Sequence, residues 1–101
     1  MPTFAVQYTY DDRSTERDEI RPAHRRFLAT LLDAGTLLAS GPYTGPSVGS
    51  QQTEAEGALL LLSADSTEAV QAVLDEDPFA HAGLVAERSI RPWSPVFGPW
   101  A

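Results

Sequence analysis

Two polar side chains stand where apolar ones are expected. His24 falls inside the apolar arc of an amphipathic helix: at 100° per residue, Ile20, Ala23, Phe27, Leu28, Leu31 and Ala34 share its face. Arg25, Arg26, Ala29 and Asp33 turn elsewhere, toward solvent. Asp77 shares an arc with Val70, Val73 and Leu74, at the end of a second helix. A carboxylate there meets the negative pole of the helix dipole, and burial adds a desolvation cost. Its charged form then needs a cation or hydrogen-bond donors nearby. A histidine supplies either. In a His–Asp pair the carboxylate fixes the imidazole tautomer and raises its basicity, leaving the other ring nitrogen free as a general base. Arg21, in the run Arg21-Pro22-Ala23-His24, can bind an anion or a developing oxyanion. A buried histidine with a structural hydrogen bond is the alternative reading of the same residues.

The remaining candidates are weaker. Tyr43, next to Gly41-Pro42, lines a pocket or simply packs; Ser40 donates to a ligand or serves the turn. His81 reads as a solvent-facing residue. The two histidines lack close ligand spacing, so no metal is expected. Gly45 and Gly49 make no phosphate loop: no lysine follows and no G-x-G-x-x-G is present. Glu54, Glu56, Asp75 and Glu76 read as solvated surface.

Composition narrows the chemistry further. With no cysteine, disulfides, thiolate nucleophiles and sulfur metal ligands are excluded, and the redox compartment stays undetermined. All seven basic residues are arginine, so a side-chain Schiff base is excluded too. No cofactor motif is present. A formal charge of −7 argues against nucleic-acid binding, which needs a basic surface. Five of the arginines nevertheless cluster between Arg13 and Arg26, which suits a small anion. No apolar run is long enough to span a membrane. The N-terminus has a strand pattern with no basic leader, so the expected location is cytoplasmic.

The elements that must carry these residues follow from periodicity. Phe4, Val6, Tyr8 and Tyr10 alternate with smaller or polar residues, a strand with an aromatic face. Asp11 to Thr15 reads as a loop. A helix is expected from about Pro22, a favoured first residue, to Ala34, with one extra turn before it as the alternative and Gly35 as its cap. Thr36 to Ser40 is a second strand, stopped by Gly41-Pro42. Tyr43 to Glu56 is a long polar loop. Gly57 to Ser63 is a strand whose consecutive leucines face both sides. Asp65 or Ser66 caps the second helix, with Glu68 placed for a capping box, and Pro78 ends it at Asp77. Phe79 to Gly83 is a turn, and Leu84 to Trp93 the last strand. The tail, Ser94 to Ala101, is extended and apolar.

The order β-α-β-β-α-β predicts one α+β domain over residues 1–101, ferredoxin-like, with a four-stranded antiparallel sheet and two helices on one face. The other face is bare in a monomer. The two-sided leucine strand argues that it is covered, so a homodimer through the open sheet faces is expected, the Pro/Trp tail assisting.

Arg21-Pro22-Ala23-His24 before an apolar helix, Ser40-Gly41-Pro42 closing a strand, Asp77-Pro78-Phe79 followed by Ala82-Gly83, and Arg91-Pro92-Trp93 together resemble the YciI-like family, the YCII-related domain. The resemblance runs from Phe4 to about Phe97. It implies a dimeric ferredoxin-like protein, related in fold to muconolactone isomerase, with His24 and Asp77 as the family's proposed catalytic pair. One relative is a dehydrochlorinase of a chlorinated hydroxyhydroquinone, and many have no known reaction. The expectation is therefore a small cofactor-free lyase, isomerase or hydrolase acting on a small anionic or phenolic molecule. His24 and Asp77 would be catalytic, and Arg21, Ser40 and Tyr43 substrate-binding. The rival is a non-catalytic dimeric module for ligand binding or assembly.

Overall fold

Strand β1 (Thr3–Thr9) is the spine of the computed structural model, which describes residues 1–46, 48–49 and 56–101. It pairs antiparallel with β3 (Gly57–Ser63) on one side and β4 (Glu87–Trp93) on the other. β2 (Leu37–Pro42) adds to the outer edge of β3, giving the order β2-β3-β1-β4 of the ferredoxin-like α+β fold. Alternation along β1 divides the residues: Phe4, Val6 and Tyr8 are buried under the helices, and Ala5, Gln7 and Thr9 face the open side. Leu60 and Leu62 of β3 join the first set, while Leu59 and Leu61 belong to the second. The long loop expected over residues 43–56 falls largely outside the described residues.

Helix α1 (Ser14–Asp33) begins eight residues before the expected start at Pro22. Ser14, Glu16 and Glu19 carry no apolar periodicity, so the first two turns show no amphipathic stripe in the sequence. The residue they turn inward, Arg17, is anchored by polar bonds rather than apolar. Pro22 thus sits inside the helix instead of initiating it, and no backbone N–H can reach the Asp18 carbonyl from that position. His24 accordingly stands in the middle of α1, not near its start. Ala34, expected in the buried arc, is exposed, because the helix has closed by then. Gly35 takes φ +79°, and Thr36 N–H returns to Leu31 O (2.9 Å), a glycine-terminated helix end.

The second helical region is two helices, not one. α2 (Thr67–Leu74) is capped by Ser66, whose hydroxyl accepts from Ala69 N–H (3.1 Å). With Ser66 as cap, Glu68 is one residue short of the capping-box position. The chain then breaks, and a single turn, α3 (Pro78–His81), begins after Asp77. Proline disfavours helical conformation in the preceding residue, so Asp77 is extended (ψ 128°) and caps α3. The turn expected over Phe79 to Gly83 is therefore partly helical. Leu84, expected in the last strand, is a buried core residue ahead of β4. β2 likewise runs through Gly41-Pro42, which an edge position tolerates. Among the described residues, no helix is long and apolar enough to cross a membrane.

Candidate functional site

α3 resolves how His24 and Asp77 meet. Asp77 would be remote from His24 were it the last residue of α2. As the cap of α3, which packs against α1, it faces the middle of that helix. His24 Nδ1 lies 2.7 Å from Asp77 Oδ1. Asp77 is fully buried and accepts two further bonds, from the Tyr8 hydroxyl on Oδ2 (2.8 Å) and from Phe79 N–H on Oδ1 (2.9 Å). Charge-assisted bonds of this kind satisfy a buried carboxylate that desolvation would otherwise penalise. The expectation of a carboxylate facing the negative end of a helix is reversed: it stands at the amide end of one.

A carboxylate already accepting two donors makes Nδ1 the protonated nitrogen of a neutral His24 ring, so the lone pair is on Nε2. Among the described residues Nε2 has no hydrogen-bond partner, and 11% of the side chain is exposed. The ring is clamped on its flat side by Phe79, stacked at 3.9 Å and 3° between planes. Phe79 is in turn met edge-on by Tyr10 at 5.8 Å, and Tyr10 by Tyr8 at 6.2 Å. Orientation of the imidazole thus has two independent causes, a hydrogen bond along one edge and an aromatic face.

The phenols are strongly perturbed. Burial, with the Asp77 carboxylate adding to it, pushes Tyr8 above the ordinary tyrosine range, and the same causes push Tyr10 up to about 12. Arg88 opposes the effect at Tyr8, and Arg17 and Arg21 at Tyr10. Arg17 is itself 1% exposed: it donates to Asp11 O (2.8 Å) and Glu56 Oε2 (2.5 Å) and lies 4.7 Å from the Tyr10 ring centre.

The other candidates separate. Arg21 is one turn before His24 on α1, partly exposed, and paired with Asp18. Ser40 is exposed on edge strand β2, two strands from Tyr8, and has no bond to the pair among the described residues. Tyr43 turns to the open side of the sheet, where its hydroxyl donates to Gln7 Oε1 (3.2 Å). The structure does not bring Ser40 or Tyr43 to His24. They border a hollow of about 250 Å³ with Leu59 and Leu61 instead. A second hollow, about 440 Å³, lies between the N-terminus, Trp93 and Trp100. His81 is well exposed and 3.7 Å from Glu76. Among the described residues, no three His, Asp or Glu side chains are grouped to share a metal ion.

Three residues of the site escape sequence reasoning: Tyr8, Phe79 and Arg17. Tyr8 carries a signal, since a tyrosine on the buried face of a central strand must find a partner for its hydroxyl. Asp77-Pro78 carries one too, as a helix-start dipeptide. Arg17 carries none, lying in a stretch without periodicity.

In sequence and in fold, the chain is similar to known proteins. The family model for the YCII-related domain matches residues 1–94. The protein YciI of Escherichia coli O6:H1 is 37% identical over 97 residues, covering 91% of this chain and 97% of its own. The derivative of benzaldehyde biosynthesis cluster protein C of Emericella nidulans is 32% identical over 74 residues, 71% of this chain and 76% of that one. Among solved structures, the 5-chloro-2-hydroxyhydroquinone dehydrochlorinase of Burkholderia phenoliruptrix, in complex with 2,5-dihydroxybenzoquinone, superposes with a TM-score of 0.73 at 26% identity, covering 91% of this chain and 93% of that one.

Proposed function

Because the chain belongs to the YCII-related domain family, we propose that it is a cofactor-free enzyme in which His24 exchanges a proton with a small anionic or phenolic molecule. The observation that carries this reading is the 2.7 Å contact of His24 Nδ1 with a fully buried Asp77. Nε2 takes a proton from the substrate, and the imidazolium so formed is stabilised by the Asp77 carboxylate. Arg21, one turn away, attracts the anionic end. Ser40 and Tyr43 have no part in this reading.

The reaction class follows from what such a pair can do alone: elimination or isomerisation, with hydrolysis if Nε2 activates water. The Burkholderia relative supports elimination. Loss of HCl from a chlorinated hydroquinone removes one proton and one chloride and leaves a quinone, so base catalysis suffices without an external oxidant. The reading includes a cytoplasmic homodimer closed through the open sheet faces, supported by exposed Tyr43, Trp93, Val96 and Phe97.

A second reading, a non-catalytic dimeric ligand-binding module, is favoured by one observation: the hollow beside Tyr43 and the hollow beside Trp100 are both lined away from His24. The two readings part on turnover. The protein is incubated with 5-chloro-2-hydroxyhydroquinone, and chloride release is followed by ion chromatography. Release above the uncatalysed rate that disappears in His24→Ala is expected. Saturable binding of 2,5-dihydroxybenzoquinone without turnover of it or of a panel of phenols and hydroxy acids would assign the module instead.

A further inference from the structure

We infer that Tyr8 is a positioning residue of this site, its hydroxyl acting through Asp77 to hold His24 with the proton on Nδ1 and the lone pair on Nε2. This role rests on the proposed His24–Asp77 chemistry. The two oxygens of the carboxylate divide the donors between them. Oδ1 receives both Phe79 N–H and His24 Nδ1, whereas Oδ2 receives the Tyr8 hydroxyl (2.8 Å) and no other donor among the described residues. Asp77 is fully buried, so solvent cannot replace that bond.

Loss of the hydroxyl leaves half of a buried carboxylate without a donor. Two responses relieve it. The carboxylate rotates to share the Nδ1–H between its oxygens, or it draws harder on the imidazole proton and holds the ring as imidazolium. The first loosens the ring orientation and the second removes the base. With the hydroxyl present, the carboxylate's charge is divided among three donors.

The hydroxyl is suited to a fixed role. Tyr8 is 1% exposed on the inner face of β1, in register with Ala58 on one side and Arg88 on the other. Its carbonyl lies so near Gly57 that a Cβ there would approach to 2.3 Å. The strand therefore has little freedom to carry the phenol away. Because burial and Asp77 push the phenol upward, it remains a donor at every pH at which the enzyme works.

The test is Tyr8→Phe, which keeps the ring and removes only the donor, together with replacement of Tyr8 by 2,3-difluorotyrosine, a stronger donor of nearly the same shape. Heteronuclear NMR of the labelled His24 imidazole, on the free protein, reads tautomer and titration without any substrate. Tyr8→Phe is expected to mix the tautomers and keep imidazolium to higher pH by about one unit; the fluorinated residue shifts it the opposite way. With a turned-over phenol, kcat for Tyr8→Phe falls about tenfold or more, KM changes little, and the acidic limb of kcat/KM moves to higher pH. Unchanged tautomer and titration in both variants, with only the melting temperature lowered, overturns the inference. Full activity in His24→Ala would instead overturn the proposed function beneath it, leaving the NMR result to stand or fall separately.

Discussion

At the scale of single residues, the site is a buried acid with several donors around it rather than a simple pair. Asp77 accepts from His24, Tyr8 and Phe79 at once, so truncating it orphans three groups. Asp77→Ala is expected to cost about 3 kcal/mol or more, read from urea denaturation; a loss below about 1 kcal/mol would mean these bonds contribute little. The buried phenols give a pH dependence with a definite sign. In the unfolded chain a tyrosine ionises near pH 10, whereas folded Tyr10 holds its proton to about 12 and Tyr8 is raised as well. The contribution of Tyr10 to stability is complete below pH about 10 and is lost as pH rises from there to about 12, and Tyr8 acts in the same direction. Denaturant midpoints across that range are expected to fall in the wild type and to fall less steeply in Tyr10→Phe. His24 is legible in the sequence because it interrupts the apolar arc of α1, whereas the arc that singles out Asp77 does not exist, since α2 ends at Leu74 and Asp77 caps α3. The partner of Tyr8 is not legible, because periodicity places a side chain on a face and says nothing of which polar atom it meets.

Elements explain why that pairing exists. The β-α-β-β-α-β order is legible from alternation and helical spacing, since each element buries one face. The helix ends are not. α1 gains two turns whose inward residue is Arg17, a cation held by Asp11 O and Glu56, and a hydrophobic pattern cannot register it. Pro78 reads as a stop for α2, which puts Asp77 on the wrong helix; proline is equally a first residue, and a capping aspartate before it makes it one. That single reassignment moves the carboxylate from α2 to the element packed on α1. Two substitutions test the element-level account. Pro22→Ala restores a backbone donor toward the Asp18 carbonyl and is expected to stabilise the protein by about 1–3 kcal/mol, seen as a higher melting temperature. Gly57→Ala forces a Cβ against Tyr8 O and is expected to destabilise by about 1–3 kcal/mol. A neutral Gly57→Ala would show that β1 yields there.

For the whole molecule, one side of the sheet carries the helices while Leu59, Leu61, Ala39 and Ala5 form the other. Leu61 is already shielded by its neighbours, but Tyr43, Trp93, Val96 and Phe97 are not. The proposed homodimer would cover these apolar side chains. Light scattering at micromolar concentration is expected to give twice the 10.9 kDa chain mass, and Leu59→Arg to return it to one. A wild-type particle of 10.9 kDa would contradict the dimer while leaving the His24 site untouched, because Asp77 and His24 meet within one chain.

The proton-transfer role proposed for His24 is tested most directly by the turnover of 5-chloro-2-hydroxyhydroquinone by wild type and His24→Ala, with and without added imidazole. The expected result is a folded variant slowed about a hundredfold or more, partly restored by free imidazole. Wild-type turnover matched by His24→Ala without imidazole would contradict it.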